Sequence, residues 1–154
     1  MLKFLGMVGE GYREGLNEYM RSFELVEDKY FGKKTGRFCK WFGLGVELGE
    51  NKVFEGEKID ERLRVFGNRV WGGEDWNSVL LYRYGVGVGI NRHRDRKCFD
   101  NKVVVVGNVD CDFGYGKSWY VMKGWGIYEF DSKRDHEIKG VSEERLVLQF
   151  RKVI

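Results

Sequence analysis

The spacing of apolar residues changes at Gly72-Gly73, and this change constrains the fold more than any other feature of the sequence. Before the glycine pair, apolar residues recur mostly every three or four positions over residues 10–27 and 57–71. This spacing predicts two amphipathic helices, the second of which ends at the glycines. After the pair, short apolar runs are separated by turn residues, which predicts strands joined by tight turns. Helices followed by strands indicate an α+β, mainly β fold rather than alternating βαβ units.

The chain has 22 glycines and no proline, so its turns must form without proline. Glycine, asparagine and aspartate therefore make the turns. Five strands are predicted after the glycine pair, at residues 79–84, 103–106, 118–122, 126–130 and 145–153. Short strands are also predicted over residues 37–56, after a basic turn at residues 30–36. These elements favour a jelly roll or another β-sandwich with helices packed on it.

Charge and cysteine content exclude several classes of protein. The net charge of +3 is compatible with a polyanionic partner, and equally with an ordinary solvated surface. Cys39, Cys98 and Cys111 are widely spaced and indicate neither a disulfide framework nor a zinc site. No apolar stretch approaches the roughly 18 residues that cross a bilayer, and no secretory signal is recognisable. We therefore expect one domain, cytoplasmic and without a membrane partner; a monomer is favoured, although the sequence leaves the oligomeric state open.

Both histidines of the chain belong to one candidate metal site. His93 and Asp95 are two positions apart, so on an extended segment their side chains point the same way. His136 follows two predicted strands. Two histidines and one carboxylate form the facial ligand set of non-haem Fe(II) oxygenases, which leaves metal positions for a cosubstrate and dioxygen. An isolated H-x-D is more often a surface pair, so the pattern needs support from elsewhere in the chain.

The last predicted strand supplies that support through two arginines on one face. Arg145 and Arg151 are six positions apart, whereas Leu146, Leu148 and Phe150 form the opposite, apolar face. Arginines directed into a β-sandwich are unfavourable unless they bind anions. A dicarboxylate would suit them, because guanidinium groups pair bidentately with carboxylates. The alternative is an edge strand whose polar face is exposed to water.

Four segments carry characteristic polar and aromatic residues in a fixed order. They read RFCKWFG at 37–43, WNSVLLYRY at 76–84, GVGINRHRD at 87–95 and RLVLQFR at 145–151. In this order they resemble the P-R-x-x-x-[WY]-[YF]-G, F-N-x-V-L-x-N-x-Y, G-x-x-[IL]-x-x-H-x-D and R-[IV]-[NS]-L-T-F-R segments of the AlkB-like Fe(II)/2-oxoglutarate-dependent dioxygenases. The resemblance covers about residues 37–154, which is most of the chain.

The resemblance implies a fold and a metal site. The fold is a double-stranded β-helix (jelly-roll) core over residues 73–154, with residues 1–72 as a helical and lid part that buttresses it. The metal is Fe(II), held by His93, Asp95 and His136.

The resemblance also implies a binding site for the cosubstrate 2-oxoglutarate, beside dioxygen. Arg145 pairs with its distal carboxylate, Tyr84 adds a hydroxyl contact, and Arg151 lies close to the metal end. Tyr82 stands where the family usually has asparagine, so it takes that cofactor-binding position in this chain.

The activity that the resemblance implies is oxidative demethylation of alkylated nucleic acid bases, as in repair of DNA or RNA. An aromatic residue of the lid would stack on a flipped base, and by position this is Trp41 or Phe42, with Arg37 beside them. A basic stripe suited to phosphates comprises Lys33, Lys34, Arg37 and Lys40. Core packing of Trp41 and a solvated loop for the lysines are the alternative interpretations.

Departures from the family pattern keep other functions open. Gly36 replaces the family's proline, and Arg96-Lys97 follow H-x-D where the family usually has an acidic residue that contacts the substrate base. The segment between Asp95 and His136 is short. A 2-oxoglutarate-dependent hydroxylase of a protein, a small molecule or an unmodified base is therefore the second hypothesis. A third, from another class, is a non-catalytic β-sandwich that binds nucleic acid through the basic stripe.

Overall fold

The computed structural model describes residues 1–30, 32–47 and 52–154. The helices in these ranges are α1 (Glu10–Arg21) and α2 (Glu61–Trp71). The strands are, in chain order, β1 (Lys3–Met7), β2 (Val26–Tyr30), β3 (Lys33–Glu47), β4 (Lys52–Glu55), β5 (Ser78–Tyr84), β6 (Ile90–His93), β7 (Phe99–Gly107), β8 (Cys111–Tyr115), β9 (Ser118–Met122), β10 (Gly126–Asp131), β11 (His136–Ile138) and β12 (Arg145–Val153). Of the helices described, neither has the length and apolarity needed to cross a membrane.

The strands form two antiparallel sheets. The main sheet has eight strands in the order β1-β10-β7-β12-β5-β3-β2, with β4 also paired to β3. The smaller sheet has the order β6-β11-β8-β9. Tyr84 and Val105 of the main sheet share an apolar cluster with Phe113 and Tyr115 of the smaller sheet, so the two sheets pack face to face. The predicted mainly β jelly-roll fold is confirmed.

Each strand of the main sheet directs alternate side chains into two different layers. In β12, Leu146, Leu148 and Phe150 belong to the core beneath the helices, together with Leu16 of α1 and Phe66 of α2. Four other residues of β12 face the smaller sheet; they are Arg145, Val147, Gln149 and Arg151. The sequence therefore predicts correctly that this strand has one apolar and one arginine-bearing face.

Both predicted helices form, with different bounds. α2 begins at Glu61 rather than at residue 57, because the Asp60 carboxylate accepts a hydrogen bond from the Leu63 amide at 2.8 Å and caps the helix. It ends as predicted before Gly72, which has a left-handed φ of 80°. α1 ends at Arg21 rather than at residue 27, because the chain from Val26 pairs with β3 as strand β2.

The first part of the chain contains more strand than the sequence predicts. The short strands predicted over residues 37–56 are confirmed in part: β4 is a strand of four residues, whereas residues 37–47 belong to β3, a single strand of 15 residues; residues 48–51 lie outside the described part. The basic turn predicted at residues 30–36 is wrong, because residues 33–36 belong to β3; residue 31 is not described. Strands β1, β2, β6, β8 and β11 are also missed by the sequence analysis. β6 and β11 have only four and three residues, too few to reveal a period of two. Residues 1–72 thus contribute four strands to the main sheet as well as both helices.

Gly67 permits a close approach between α2 and the main sheet. A Cβ atom at this position would lie 2.3 Å from the Trp76 ring and 2.9 Å from the Phe150 ring. These two rings pack edge to face with centroids 5.3 Å apart, and Trp76 Nε1 donates a hydrogen bond to Asn68 Oδ1 at 2.8 Å. The helix is therefore seated directly on the sheet that carries β5 and β12.

Gly67→Ala is expected to destabilise the protein by about 1–3 kcal/mol, because the added methyl group overpacks this contact. The intrinsic preference of helices for alanine, about 1 kcal/mol over glycine, acts in the opposite direction. Gly11→Ala in α1 is the matched control, because a Cβ atom there meets nothing within 4 Å, and it should be neutral or stabilising. Urea midpoints of both variants check this. Equal stability of the two variants would contradict the close packing of α2.

Candidate metal centre and cosubstrate pocket

A cavity of about 810 Å³ lies between the two sheets. Strands β3, β5 and β12 line it on the side of the main sheet, and β6, β8 and β11 line it on the other. Its charged and imidazole-bearing residues are Arg37, Arg92, His93, Arg94, Asp95, Arg96, His136, Arg145 and Arg151. The cavity thus brings together the sequence-predicted site residues other than Phe42, since Trp41, Tyr82 and Tyr84 also line it.

The antiparallel register of β6 and β11 sets His93 directly opposite His136, with ring centroids 4.3 Å apart. Asp95 follows β6, where its amide donates a hydrogen bond to the Ser132 carbonyl at 2.9 Å. Asp95 Oδ1 lies 3.5 Å from His93 Nε2 and 3.3 Å from His136 Nε2. One ligand atom from each residue lies within 4.8 Å of the other two, close enough for a single metal ion to contact all three.

Backbone contacts leave the same nitrogen of each imidazole ring available to a metal. His93 Nδ1 lies 2.7 Å from the Asn91 carbonyl, and His136 Nδ1 lies 2.8 Å from the Arg134 carbonyl. A carbonyl oxygen can only accept, so Nδ1 carries the hydrogen and the lone pair is on Nε2. Burial lowers the pKa of His93 to about 4 and also lowers the pKa of His136. Both rings are therefore neutral at pH 7, which is the form that binds metals.

Two ion pairs hold the histidine-bearing segments together beside the ligands. Arg92 Nε lies 2.6 Å from Glu137 Oε2, and Arg94 Nε lies 2.8 Å from Asp135 Oδ1. By the register that pairs His93 with His136, these residues are also cross-strand neighbours, and their positions alternate with those of the two histidines. The pairs are largely exposed, so each contributes little to stability, but together they favour this register.

Asp95 is held on its other side by the last strand. Arg151 Nη1 donates to Asp95 Oδ2, and Arg151 Nη2 donates to Gln149 Oε1 at 3.0 Å. The guanidinium carbon lies 4.8 Å from the centre of the Phe99 ring. Burial lowers the pKa of Arg151 to about 10, so it remains a cation at pH 7. Arg151 therefore occupies one carboxylate oxygen of Asp95 and leaves Oδ1 facing the two histidines.

Arg145 is buried in the cavity wall, and none of the described residues forms an ion pair with it. Arg145 is only 2% exposed, and its Nε has no hydrogen-bond partner among the described residues. Gly107 makes room for it, because a Cβ atom there would lie 2.6 Å from Arg145 Nη2. Tyr84 is its neighbour across the strand pair, and burial raises the pKa of Tyr84 to about 12, so the hydroxyl stays protonated. A buried cation beside a hydroxyl donor is suited to an anion such as a carboxylate.

An acidic residue that the sequence analysis does not identify, Asp28, lies beside this wall. The register of β2 and β3 shifts between Glu27 and Lys29, and at this irregularity Asp28 is turned inward, to 8% exposure. Asp28 Oδ2 accepts from the Tyr82 hydroxyl at 3.2 Å and lies 3.5 Å from Arg37 Nη2. Burial raises the pKa of Asp28, and the Arg37 charge opposes this effect. The Tyr82 hydroxyl hydrogen is therefore committed to Asp28, although the ring lines the cavity.

Trp41 and Phe42 face opposite sides of β3. Trp41 lines the cavity and stacks on Phe99, with ring centroids 6.3 Å apart and planes inclined by 13°. Phe42 is 1% exposed and packs edge to face on Phe23 in the core beneath the helices. The structure therefore brings Trp41 to the cavity and does not bring Phe42 there.

The predicted basic stripe is divided between different environments. Lys33 and Lys34 are exposed. Arg37 is held inside by Asp28 and by the Gly89 carbonyl, to which its Nη1 donates at 2.9 Å. Lys40 lies on the same side of β3 as Phe42, with its Nζ 3.1 Å from a Glu57 carboxylate oxygen.

No protein-family model matches the sequence, and no curated protein matches it. Solved structures do match. OsALKBH1 gives a TM-score of 0.73 over 98% of this chain and 97% of its own, at 12% identity. An oxidoreductase of the 2OG-Fe(II) oxygenase family from Burkholderia pseudomallei gives 0.64 over 97% of this chain and 84% of its own, at 14% identity. A prolyl-4-hydroxylase from Pseudomonas putida gives 0.63 over 100% of this chain and 92% of its own, at 14% identity. The chain therefore has the fold of the AlkB-like 2OG-Fe(II) oxygenases, as the sequence resemblance predicts.

Proposed function

We propose that this chain is an Fe(II)- and 2-oxoglutarate-dependent dioxygenase. The observation that carries this proposal is a juxtaposition inside one cavity. The Nε2 atoms of His93 and His136 meet the Asp95 carboxylate, and the buried Arg145 guanidinium of the same cavity has no counter-charge among the described residues. A metal ion with three protein ligands and a dicarboxylate would satisfy both features.

The roles of the residues follow from their contacts. His93, Asp95 and His136 would hold the metal, and the cavity beside them would admit the cosubstrate and dioxygen. When bound, Fe(II) and 2-oxoglutarate would supply the activation of dioxygen, with one oxygen atom entering a substrate C–H bond and the other entering succinate as carbon dioxide leaves. Arg145 and Tyr84 bind and orient the distal carboxylate of the cosubstrate, and Arg151 keeps the Asp95 carboxylate in place.

For the substrate, we propose an alkylated base of DNA or RNA. Hydroxylation of a methyl group on a ring or exocyclic nitrogen gives a hydroxymethyl group, which leaves as formaldehyde and restores the base. The similarity in fold to OsALKBH1 over nearly the whole of both chains supports this choice. Trp41 offers an aromatic ring in the cavity on which a base can stack, and the exposed Lys33 and Lys34 can contact phosphates.

A second candidate is hydroxylation of a substrate other than nucleic acid. The prolyl-4-hydroxylase from Pseudomonas putida has the same fold over the whole of this chain. Arg96 and Lys97 also replace the acidic residue that the AlkB-like pattern usually carries after its metal ligands. The two candidates share the metal centre and the cosubstrate, and they differ in the compound whose methyl or methylene group is oxidised.

The metal centre predicts that His93→Ala and Asp95→Ala each weaken binding of Mn(II), used as a stand-in for Fe(II). The loss should exceed the roughly 10–100-fold effect of removing only a hydrogen-bond partner of a ligand. Conversion of 2-oxoglutarate to succinate in the presence of Fe(II) should fall in parallel. Asp100→Ala is the control, because it removes an exposed carboxylate from the following segment. Turnover that survives both ligand substitutions would rule out the mechanism.

Because Arg145 has no counter-charge among the described residues, we expect Arg145→Met to raise the KM for 2-oxoglutarate by about 30-fold or more. Truncation of one member of a buried charge pair costs about 2–5 kcal/mol. Mn(II) affinity measured without the cosubstrate should not change, because Arg145 makes no ion pair with the three ligands. The variant should also be at least as stable as the parent without ligands, because it removes an uncompensated buried charge. An unchanged KM would show that the cosubstrate binds elsewhere.

Methylated oligonucleotides should release formaldehyde in step with succinate. Trp41→Leu should lower kcat/KM for the oligonucleotide by about 5- to 150-fold, since stacking of one base contributes about 1–3 kcal/mol. Trp119→Leu is the matched control, because Trp119 lies half-exposed on β9 and does not line the cavity. Succinate production that continues while no methylated oligonucleotide yields formaldehyde would favour the second candidate.

A further inference from the structure

Arg37, Tyr84 and Arg145 lie side by side across three neighbouring strands. The register pairs Arg37 of β3 with Tyr84 of β5, and Tyr84 with Arg145 of β12. Residues that are paired directly across antiparallel strands point to the same face of the sheet, with Cβ atoms about 4.5–5.5 Å apart. All three residues line the cavity, so Tyr84 is flanked there by an arginine on each side.

Both arginines of this row carry a buried N–H group without an acceptor. The Nε atoms of Arg37 and Arg145 have no hydrogen-bond partner within residues 1–30, 32–47 and 52–154. A buried donor that lacks an acceptor is unfavourable, and a bound acceptor relieves this cost. Burial raises the pKa of the Tyr84 hydroxyl, and the Arg145 and Arg37 charges oppose this rise because they lie near it. The row therefore offers a hydroxyl and two guanidinium groups to one anion.

Contacts with both sheets fix the guanidinium group of Arg37. Its Nη1 donates to the Gly89 carbonyl at 2.9 Å, and its Nη2 lies 3.5 Å from Asp28 Oδ2. Gly89 directly precedes β6 of the smaller sheet, whereas Asp28 belongs to β2 of the main sheet. Both terminal nitrogens of Arg37 are thus engaged by the protein, which leaves Nε as the donor that a ligand would satisfy.

The hydroxyl of Tyr82 is not free to serve as this donor. It donates to the same Asp28 carboxylate, at 3.2 Å, and burial raises its pKa well above the ordinary value, so the hydrogen stays in place. The family resemblance implies an asparagine at this position that contacts the cosubstrate. One donor is therefore missing at position 82, and Arg37, which is held by the same carboxylate, lines the cavity on the neighbouring strand.

We propose that Arg37 is a second arginine for the distal carboxylate of 2-oxoglutarate and acts with Arg145 across Tyr84. The inference rests on the proposed function, because it concerns the cosubstrate of the same site. It assigns Arg37 to the cosubstrate rather than to the nucleic acid contact that the sequence resemblance implies. Asp28 is a positioning residue, because as an anion it holds Arg37 and does not itself bind a carboxylate.

Two oxo acids of equal length isolate the contact with the distal carboxylate. 2-Oxopentanoate has the same 2-oxo acid end as 2-oxoglutarate and carries a methyl group in place of the distal carboxylate. Dissociation constants of both are measured by calorimetry on the Mn(II)-loaded protein under anaerobic conditions, for the parent, Arg37→Met and Arg83→Met. Arg83→Met is the matched control, because Arg83 does not line the cavity and its guanidinium carbon lies 4.7 Å from the centre of the Phe38 ring.

Arg37→Met is expected to weaken binding of 2-oxoglutarate by about tenfold or more, which corresponds to about 1.4 kcal/mol. The reason is the loss of a charge-assisted hydrogen bond. The affinities for 2-oxopentanoate and for Mn(II) should not change, and Arg83→Met should change none of the three. An unchanged affinity for 2-oxoglutarate overturns the proposal. An equal loss for both oxo acids also overturns it, since a merely structural role of Arg37 would produce that result.

A double variant controls for the buried carboxylate that Arg37→Met leaves behind. Loss of Arg37 removes the counter-charge of Asp28, which is destabilising. Asp28→Asn/Arg37→Met removes both charges, so its urea midpoint should lie above that of Arg37→Met. The same selective loss of 2-oxoglutarate affinity in the double variant supports the proposal. Recovery of the parent affinity overturns it, because the loss would then come from the Asp28 charge.

Binding of glutarate to the metal-free protein separates failure of this inference from failure of the proposed function. Glutarate carries the same distal carboxylate and needs no metal. A protein that binds no Mn(II) contradicts the proposed function. In that case, weaker binding of glutarate by Arg37→Met, but not by Arg83→Met, still supports the carboxylate site. Glutarate that binds equally to the parent and to Arg37→Met, or that does not bind, overturns it.

Discussion

The antiparallel pairing of β6 with β11 is the constraint on which the site depends. It sets His93 opposite His136, and the chain that continues from β6 delivers Asp95 to the same point. The flanking ion pairs and the two Nδ1 contacts with backbone carbonyls fix the segments and the ring tautomers. The three candidate ligand atoms are consequently positioned by backbone pairing, so little ordering would be left for binding of the proposed metal.

The charges inside the sandwich are the second determinant of function. Arg145 and Arg151 are buried on the face of β12 that meets the smaller sheet, and burial of a cation is unfavourable unless it is paired. Arg151 is paired with Asp95, whereas Arg145 has no counter-charge in the described part of the chain. The apolar core between the helices and the other face of the main sheet supplies the stability that allows such a charge to be kept. The fold thus keeps a buried cation at a cost in its own stability, and the proposed cosubstrate site accounts for that cation.

The sequence predicts the site residues whose placement follows from the alternation of side chains between the two faces of a strand. The spacing of Arg145 and Arg151 and the H-x-D pair both translate directly into side chains on one face. The same parity, counted from Arg37, places Trp41 in the cavity and Phe42 on the opposite face of β3, so the alternation distinguishes these two rings. Asp28 was not predictable in this way, because it turns inward only where the pairing of β2 with β3 is irregular. The early end of α1 was equally hidden, since apolar spacing continues into the strand that follows it.

The most direct test of this account is a crystal structure of the protein with Mn(II) and 2-oxoglutarate bound under anaerobic conditions. The anomalous signal of manganese should lie on His93 Nε2, Asp95 Oδ1 and His136 Nε2. The electron density of the dicarboxylate should extend from the metal to the Arg145 guanidinium and the Tyr84 hydroxyl. A metal bound by other residues, or a dicarboxylate that leaves Arg145 without a partner, would contradict the account.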